Sequence, residues 1–266
     1  LSKAGDKGLF VKELEVALME NRIDLAVHSM KDMPGELPEG LTLVSFGERE
    51  DASDVLLSKN HVRFEDLPAG AVIGTSSLRR EAQLRRLRSD LKYEVIRGNL
   101  QTRYRKLEEG PYAAIVLAAA GVKRLGWEDR ITQSFDAWDE SIPAVAQGIL
   151  AIEFRLTDGR VRSLLEPLQV KSVEVIRLAE RAVLATLAGG CQLPLGAYCR
   201  PTESGYEMKG VVLSLDGAQA IYAHTEFGPG ESLQAGQRLA KDLLNQGGKA
   251  ILDQIRTGTP EVSTNV

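Results

Sequence analysis

The sequence predicts an α/β protein with two layered lobes followed by a smaller α+β domain. Between residues 24 and 119, short apolar runs alternate with stretches of helical periodicity, the pattern of α/β layering around a parallel sheet. From about residue 170 the pattern changes to one long helix, an alternating hairpin and two closing helices. No apolar run reaches the ~18–20 residues that a membrane-spanning helix requires, and no segment repeats at a fixed period.

The first helix is expected over residues 9–21, where Phe10, Leu14, Ala17 and Leu18 share one face. Strands follow at 24–30 and 41–46, and the β-branched run 71–76 reads as a buried strand. A helix over 78–88 starts behind a cap at Thr75, Ser76 or Ser77. The same alternation recurs as a strand at 93–97, a break at Gly98-Asn99, a helix at 100–108 and a strand at 113–119. In the last third a helix spans 173–187, and strands at 206–215 and 220–225 are joined through Asp216-Gly217, a strong turn pair. Helices at 233–246 and 249–256 close the fold, and 257–266 reads as a tail without apolar periodicity.

Composition narrows the function classes. The 266 residues are 43% hydrophobic and 26% charged with net charge −4, so the chain has the makeup of a globular domain rather than a disordered or basic tail. Its two cysteines, Cys191 and Cys199, are too few for a disulfide framework, and no Cys/His spacing suggests a metal. That cysteine usage fits a reducing, cytoplasmic setting.

Several segments break local rules. Arg79 and Arg80 occupy the first turn of a predicted helix, where the macrodipole disfavours cations. From 79 to 106 there are ten Lys/Arg against three acids, inside a chain that is acidic as a whole. Arg79, Arg80, Arg97 and Arg103 are expected to converge on one rim, with Arg85, Arg86 and Arg88 farther along their helix. Guanidiniums on such a rim suit carboxylates or phosphates; a solvated basic face explains the same charges, and a nucleic-acid surface would lack its usual aromatic interleaving. His28-Ser29-Met30-Lys31-Asp32 lies at a strand end, where open α/β sheets bind ligands, and a set of loop residues capping one another is the plainer reading. Gly189-Gly190-Cys191-Gln192-Leu193-Pro194 is a glycine-flanked thiol after a long helix, either reactive or a small buried hydrophobe. Cys199, in an apparent strand, keeps the second reading.

Five stretches together are more specific. Residues 7–15 (KGLFVKELE), 26–32 (AVHSMKD), 74–80 (GTSSLRR), 97–99 (RGN) and 189–194 (GGCQLP) resemble the signature segments of the porphobilinogen deaminase (hydroxymethylbilane synthase) family, in that family's order and spacing. The resemblance implies two lobes like those of type II periplasmic binding proteins, enclosing a cleft beside a third domain. Lobe one would hold 1–47 and 148–168, lobe two 52–142, and the cofactor-attachment domain 170–256. It implies a transferase that joins four porphobilinogen molecules on a covalent dipyrromethane primer and releases hydroxymethylbilane. Cys191 would carry the cofactor and Asp32 would be the catalytic carboxylate. Ser29, Lys31, Ser77, Arg79 and Arg80 would contact the cofactor; Arg97, Arg103, Arg124, Phe10 and Lys3 would serve substrate and the growing polypyrrole. No metal, nucleic acid or membrane is implied, and the resemblance favours a monomer.

Asp6 stands where the family commonly has glycine, and Ala146 replaces a usual glycine in the run 143–148 (PAVAQG). Family members begin with a strand, a helix and a further strand, so the competent polypeptide is expected to extend before Leu1. Two other classes stay open: a non-catalytic two-lobed anion binder, which needs neither Asp32 nor Cys191, and a nucleic-acid binder using 79–106. Intact mass separates the first reading from both.

Overall fold

The computed structural model describes residues 6–187 and 193–258. The chain enters lobe 1 through helix α1 (Asp6–Met19), which places Val11, Ala17 and Leu18 inward at helical spacing. Asn21 ends it in the left-handed region (φ 57°), while Arg22 N–H returns to the Ala17 carbonyl. Strands β1 (Leu25–Ser29) and β2 (Leu41–Phe46) follow. The chain then crosses into lobe 2, which comprises β3 (Asp54–Ser58), β4 (Val72–Gly74), α2 (Leu78–Leu87), β5 (Lys92–Glu94), α3 (Leu100–Glu109), β6 (Ala114–Ala118), α4 (Ala119–Arg124) and β7 (Gln133–Phe135). It returns to lobe 1 as β8 (Leu150–Arg155) and α5 (Gly159–Leu165). The last domain holds α6 (Lys171–Thr186), β9 (Leu195–Thr202), β10 (Gly205–Leu213), β11 (Ala220–Phe227), α7 (Ser232–Leu243) and α8 (Lys249–Thr257).

In lobe 1, β8 lies between β1 and β2 and runs antiparallel to both, with Ile152 opposite Val27 and Val44. In lobe 2 the order is β5-β4-β6-β3-β7. The expected parallel pairing holds for β5, β4 and β6, whereas β3 runs antiparallel to β6 and β7. The cause is connectivity. β3 brings the chain in from lobe 1 and β7 sends it back, so Asp54 at the entry sits opposite Phe135 at the exit. The predicted strand at 93–97 is shorter than expected, and Arg97 lies beyond it.

The third domain is an antiparallel sheet, β11-β10-β9, packed against α6 and α7. Its core is continuous with lobe 1: Val173, Ile176 and Val183 of α6 belong to one buried cluster with Met30, Met33, Leu43 and Ile149. A smaller cluster joins it to lobe 2, where Ala82 of α2 meets Val211 and Leu213 of β10 and Ile142 of the returning crossover. Both lobes therefore rest on the third domain, and the two crossovers, residues 47–53 and 136–149, meet over it.

Candidate active site

Ser29 ends β1, and Met30–Asp32 form one tight 3₁₀ turn, so three polar positions, Ser29, Lys31 and Asp32, leave the strand at the lobe 1 edge. The turn is pinned because Met30 N–H donates to the Ile149 carbonyl and Met30 itself is buried. Across from it, lobe 2 presents the starts of three helices. Ser77 caps α2, accepting from Arg80 N–H, and Asn99 caps α3, accepting from Thr102 N–H at 2.8 Å. The end of β6 runs directly into α4 at Ala118–Gly121.

Between these edges lies a cavity of about 240 Å³, lined from lobe 1 by Ser29, Lys31 and Asp32 and from lobe 2 by Arg80, Asn99, Arg103 and Arg124. Gly148 and Ile149 of the returning crossover form its floor. Among the described lining residues, four cations thus face one carboxylate, Asp32. Burial draws the Arg103 guanidinium down from its ordinary value while the nearby Asp32 carboxylate pulls it up. Arg103 is also oriented by its Nε, which donates to the Gly98 carbonyl at 2.8 Å.

Behind the cleft wall the two adjacent arginines part company. Arg80 lines the cavity, and Arg79 turns away into the protein. Both converge on Asp54, which is fully buried: Arg79 Nη1 donates to Oδ2 at 2.7 Å and Arg80 Nε to Oδ1 at 2.8 Å. Ser141 Oγ and Gln147 Nε2 complete the shell at 2.9 Å each. Burial alone would raise the Asp54 pKa; the two guanidiniums and the hydrogen bonds outweigh it and hold the carboxyl far below the usual carboxylate range. Sequence reasoning misses Asp54 because it misses β3 itself. The available signal is an aspartate opening the apolar run 54–57 (DVLL).

Of the residues expected at the site, the cavity gathers Ser29, Lys31, Asp32, Arg80, Arg103 and Arg124. It does not gather Arg79, Ser77 or Arg97; Arg97 is exposed beside the Gly98 turn, where its carbonyl accepts from Lys106 Nζ. Lys3 and Cys191 lie outside the described residues, as does the Phe10 side chain. Cys199 is buried, and burial pushes its thiol well above the ordinary value. Arg85, Arg86 and Arg88 are not a free basic face. Arg85 pairs with Glu81, Arg86 donates to the Gly217 carbonyl, and Arg88 donates to the carbonyls of Phe64, Glu65 and Leu67. Among the described residues no group of three or more His, Cys, Asp or Glu is arranged to hold a metal, and no helix is long and apolar enough to cross a membrane.

Comparison with known proteins decides the family. The family description "Porphobilinogen deaminase, dipyromethane cofactor binding domain" matches residues 1–163, and "Porphobilinogen deaminase, C-terminal domain" matches 175–245. The chain belongs to the porphobilinogen deaminase family. It is 50% identical over 257 residues to the porphobilinogen deaminase of Desulfitobacterium hafniense, covering 97% of this chain and 82% of that one. It is 45% identical over 255 residues to that of Syntrophobacter fumaroxidans, covering 96% and 82%. Among solved structures, a probable amino-acid ABC-transporter binding protein of Bacillus subtilis aligns over 63% of this chain and 75% of its own, at 15% identity and a TM-score of 0.36.

The family's cofactor is dipyrromethane. The lining fits such a group: a pair of pyrroles carries acidic side chains, which Lys31, Arg80, Arg103 and Arg124 would complement, and ring N–H donors, for which Asp32 would be an acceptor.

Proposed function

We propose that Asp32 is the catalytic carboxylate of this chain and Cys191 the attachment point of its dipyrromethane. The chain is a transferase of tetrapyrrole biosynthesis, a hydroxymethylbilane synthase that deaminates four porphobilinogen molecules and joins them head to tail. The reading rests on one observation: Asp32 shares a cleft between two lobes with four cations drawn from both of them.

When bound, the dipyrromethane supplies the pyrrole end from which the chain grows. Loss of ammonia from porphobilinogen leaves positive charge spread over the methylene and the ring nitrogen. Asp32 accepts a hydrogen bond from that ring N–H, and its charge stabilises the transition state more than the neutral substrate. One preorganised group of this kind is worth ~10²–10³ in rate. Ser29, Lys31 and Arg80 hold the cofactor side, with Ser77 capping the helix that carries Arg80 and Arg79 supporting Arg80 through Asp54. Arg103 and Arg124 hold substrate carboxylates, and Arg97 at the exposed turn, with Phe10 and Lys3, meets incoming substrate. We assign lobe 1 to 1–47 and 148–168, lobe 2 to 52–142 and the attachment domain to 170–256, in a cytoplasmic monomer without nucleic-acid or membrane partners. The internal use of Arg85, Arg86 and Arg88 supports the last point.

Two variants test the assignment. Cys191→Ser is expected to lose the dipyrromethane mass while Cys199→Ser retains it; an adduct surviving on the Cys191 variant refutes the attachment. Asp32→Asn is expected to stay loaded yet to slow single-turnover addition ~10²–10³-fold. A rate within tenfold of the parent would move the catalytic role elsewhere.

A further inference from the structure

The returning crossover carries one side chain that touches both walls of the cleft without lining it. Gln147 is 1% exposed and sits directly behind Lys31 and Arg80. Its Oε1 accepts from Lys31 Nζ of lobe 1 at 3.1 Å and from Arg80 Nη2 of lobe 2 at 3.4 Å. Its Nε2 faces acceptors only: the Ala52 carbonyl at 2.6 Å, the Ser53 carbonyl at 3.3 Å and Asp54 Oδ1 at 2.9 Å. These acceptors determine which end of the amide points where, since a flipped amide would set oxygen against oxygen and N–H against two cations.

The backbone of the same residue is also anchored. The Gln147 carbonyl accepts from Arg49 Nε at 2.9 Å, and Arg49 belongs to the outgoing crossover. Gln147 thus fastens the outgoing crossover twice, at Arg49 and at Ala52–Ser53, while its own segment is the returning one. The preceding residue leaves it little freedom: Ala146 sits at φ 59° with its N–H donated to the buried Glu180 carboxylate at 2.6 Å. A change in the relative position of the crossovers must therefore move Oε1, and with it the common partner of two cations on opposite lobes.

We infer that Gln147 is a positioning residue that couples the two lobes: it sets Lys31 and Arg80 in register with each other and with the crossovers, so that each addition begins with both cations placed. This rests on the proposed reaction and adds to it a residue that does not line the cleft. A shared acceptor matters more in a reaction that repeats than in one that occurs once. Every added ring brings two carboxylates into the same cleft, and cations held in common relocate together.

The test uses the loaded enzyme with limiting porphobilinogen, reading the enzyme-bound adducts of one, two, three and four units by intact mass. Gln147→Met removes both ends of the amide at similar volume. Gln147→Asn keeps the amide but is one methylene shorter, withdrawing the acceptor from the cations, and it carries the test if the Met variant does not fold. Among loaded molecules, both are expected to shift the adducts toward the one- and two-unit species, with additions slowed ~10-fold or more. Lys31→Met is expected to give the same shift, and Lys31→Met with Gln147→Asn a further loss well short of the product of the two single losses, since only Arg80 then remains to be placed. A residue that only supports the fold would lower the loaded fraction and leave the adduct ratios at parent values; that result, or multiplicative losses in the double variant, overturns the inference. A parent protein that carries no dipyrromethane mass overturns the reaction reading itself, and this inference with it.

Discussion

At the scale of single residues, the decisive chemistry is the sharing of Asp54 between Arg79 and Arg80. Two guanidiniums in a first helical turn oppose the macrodipole, yet here they do not stand free. A fully buried carboxylate lies between them, so the helix start carries a compensated pair behind the cleft and one face of Arg80 within it. Asp54→Asn keeps the volume and removes the compensation. Breaking a buried pair in this way costs about 3–5 kcal/mol, and the variant is expected to melt well below the parent in a thermal scan at neutral pH. The pH dependence follows from the direction of the shift. Because the folded-state pKa is depressed, the contribution of Asp54 is fully present above the ordinary carboxylate value of about 4 and fades as pH falls below it. The gap between parent and variant should therefore narrow on acidification below about pH 4; a gap that is constant with pH would show that Asp54 acts through shape alone.

At the scale of elements, the β10–β11 hairpin is docked by its turn on helix α2. Gly217 has φ +76°, and a Cβ there would stand 2.4 Å from the Ala82 carbonyl oxygen. Arg86 Nη1 closes the contact by donating to the Gly217 carbonyl at 2.9 Å. Gly217→Ala combines left-handed strain with overpacking, each on the order of 1–2 kcal/mol, and is expected to destabilise by about 2–4 kcal/mol. Gly159, at the start of α5, gives the contrast, because a Cβ there would meet nothing within 4 Å. Gly159→Ala is expected to be neutral or to stabilise by about 0.5 kcal/mol. Denaturant midpoints of the two variants check the sign; equal midpoints would mean that the hairpin turn does not bear on α2. The hairpin is legible in the sequence, because Asp216-Gly217 between alternating segments specifies a turn locally. So are α1, β2 and α2 with its Ser77 cap, each defined by its own periodicity or capping residue. β3 and β8 are not. β3 is buried at all five positions and β8 at its four central ones, so neither shows the alternation that marks a strand with one solvated face.

At the scale of the whole molecule, Glu180 of α6 ties the crossovers to the third domain. Its carboxylate accepts from Arg49 Nη1 at 2.7 Å on the outgoing crossover, from Ala146 N–H at 2.6 Å on the returning one, and from Cys199 N–H at 2.8 Å on β9. Burial raises the Glu180 pKa, with Arg49 and the backbone donors pulling it back. Arg49→Met leaves that carboxylate buried without its cation, a loss of about 3–5 kcal/mol. At about 2–4 °C per kcal/mol for chains near this size, Tm is expected to fall by roughly 6–20 °C at neutral pH. A raised folded-state pKa means that protonation favours the folded state, so stability from this group is greatest at low pH and is lost as pH rises through the folded value. The deficit of Arg49→Met should therefore shrink on moving from pH 8 toward pH 5. A deficit that grows over that interval would place the effect elsewhere than on Glu180.

The sequence by itself determined the class of the fold, most of its local elements, the family and the polar turn at 29–32, because these depend on residues close together in the chain or on motifs carried whole. Tertiary structure decided the rest. Strand direction in lobe 2 depends on where the crossovers enter and leave, which no local pattern encodes. Likewise Arg79 and Arg80 are neighbours with the same chemistry and both pair with the buried Asp54, 25 and 26 residues earlier, yet only the fold decides that Arg80 also lines the cleft and Arg79 does not. Gln147 reads in the sequence as one residue of a crossover run, and its side chain acquires five hydrogen-bond partners, three side chains and two backbone carbonyls, only in the folded chain. The physical reason is common to all three: charge compensation and hydrogen-bond satisfaction are settled by atoms brought together from distant segments, whereas periodicity, capping and turn chemistry are settled within a few residues.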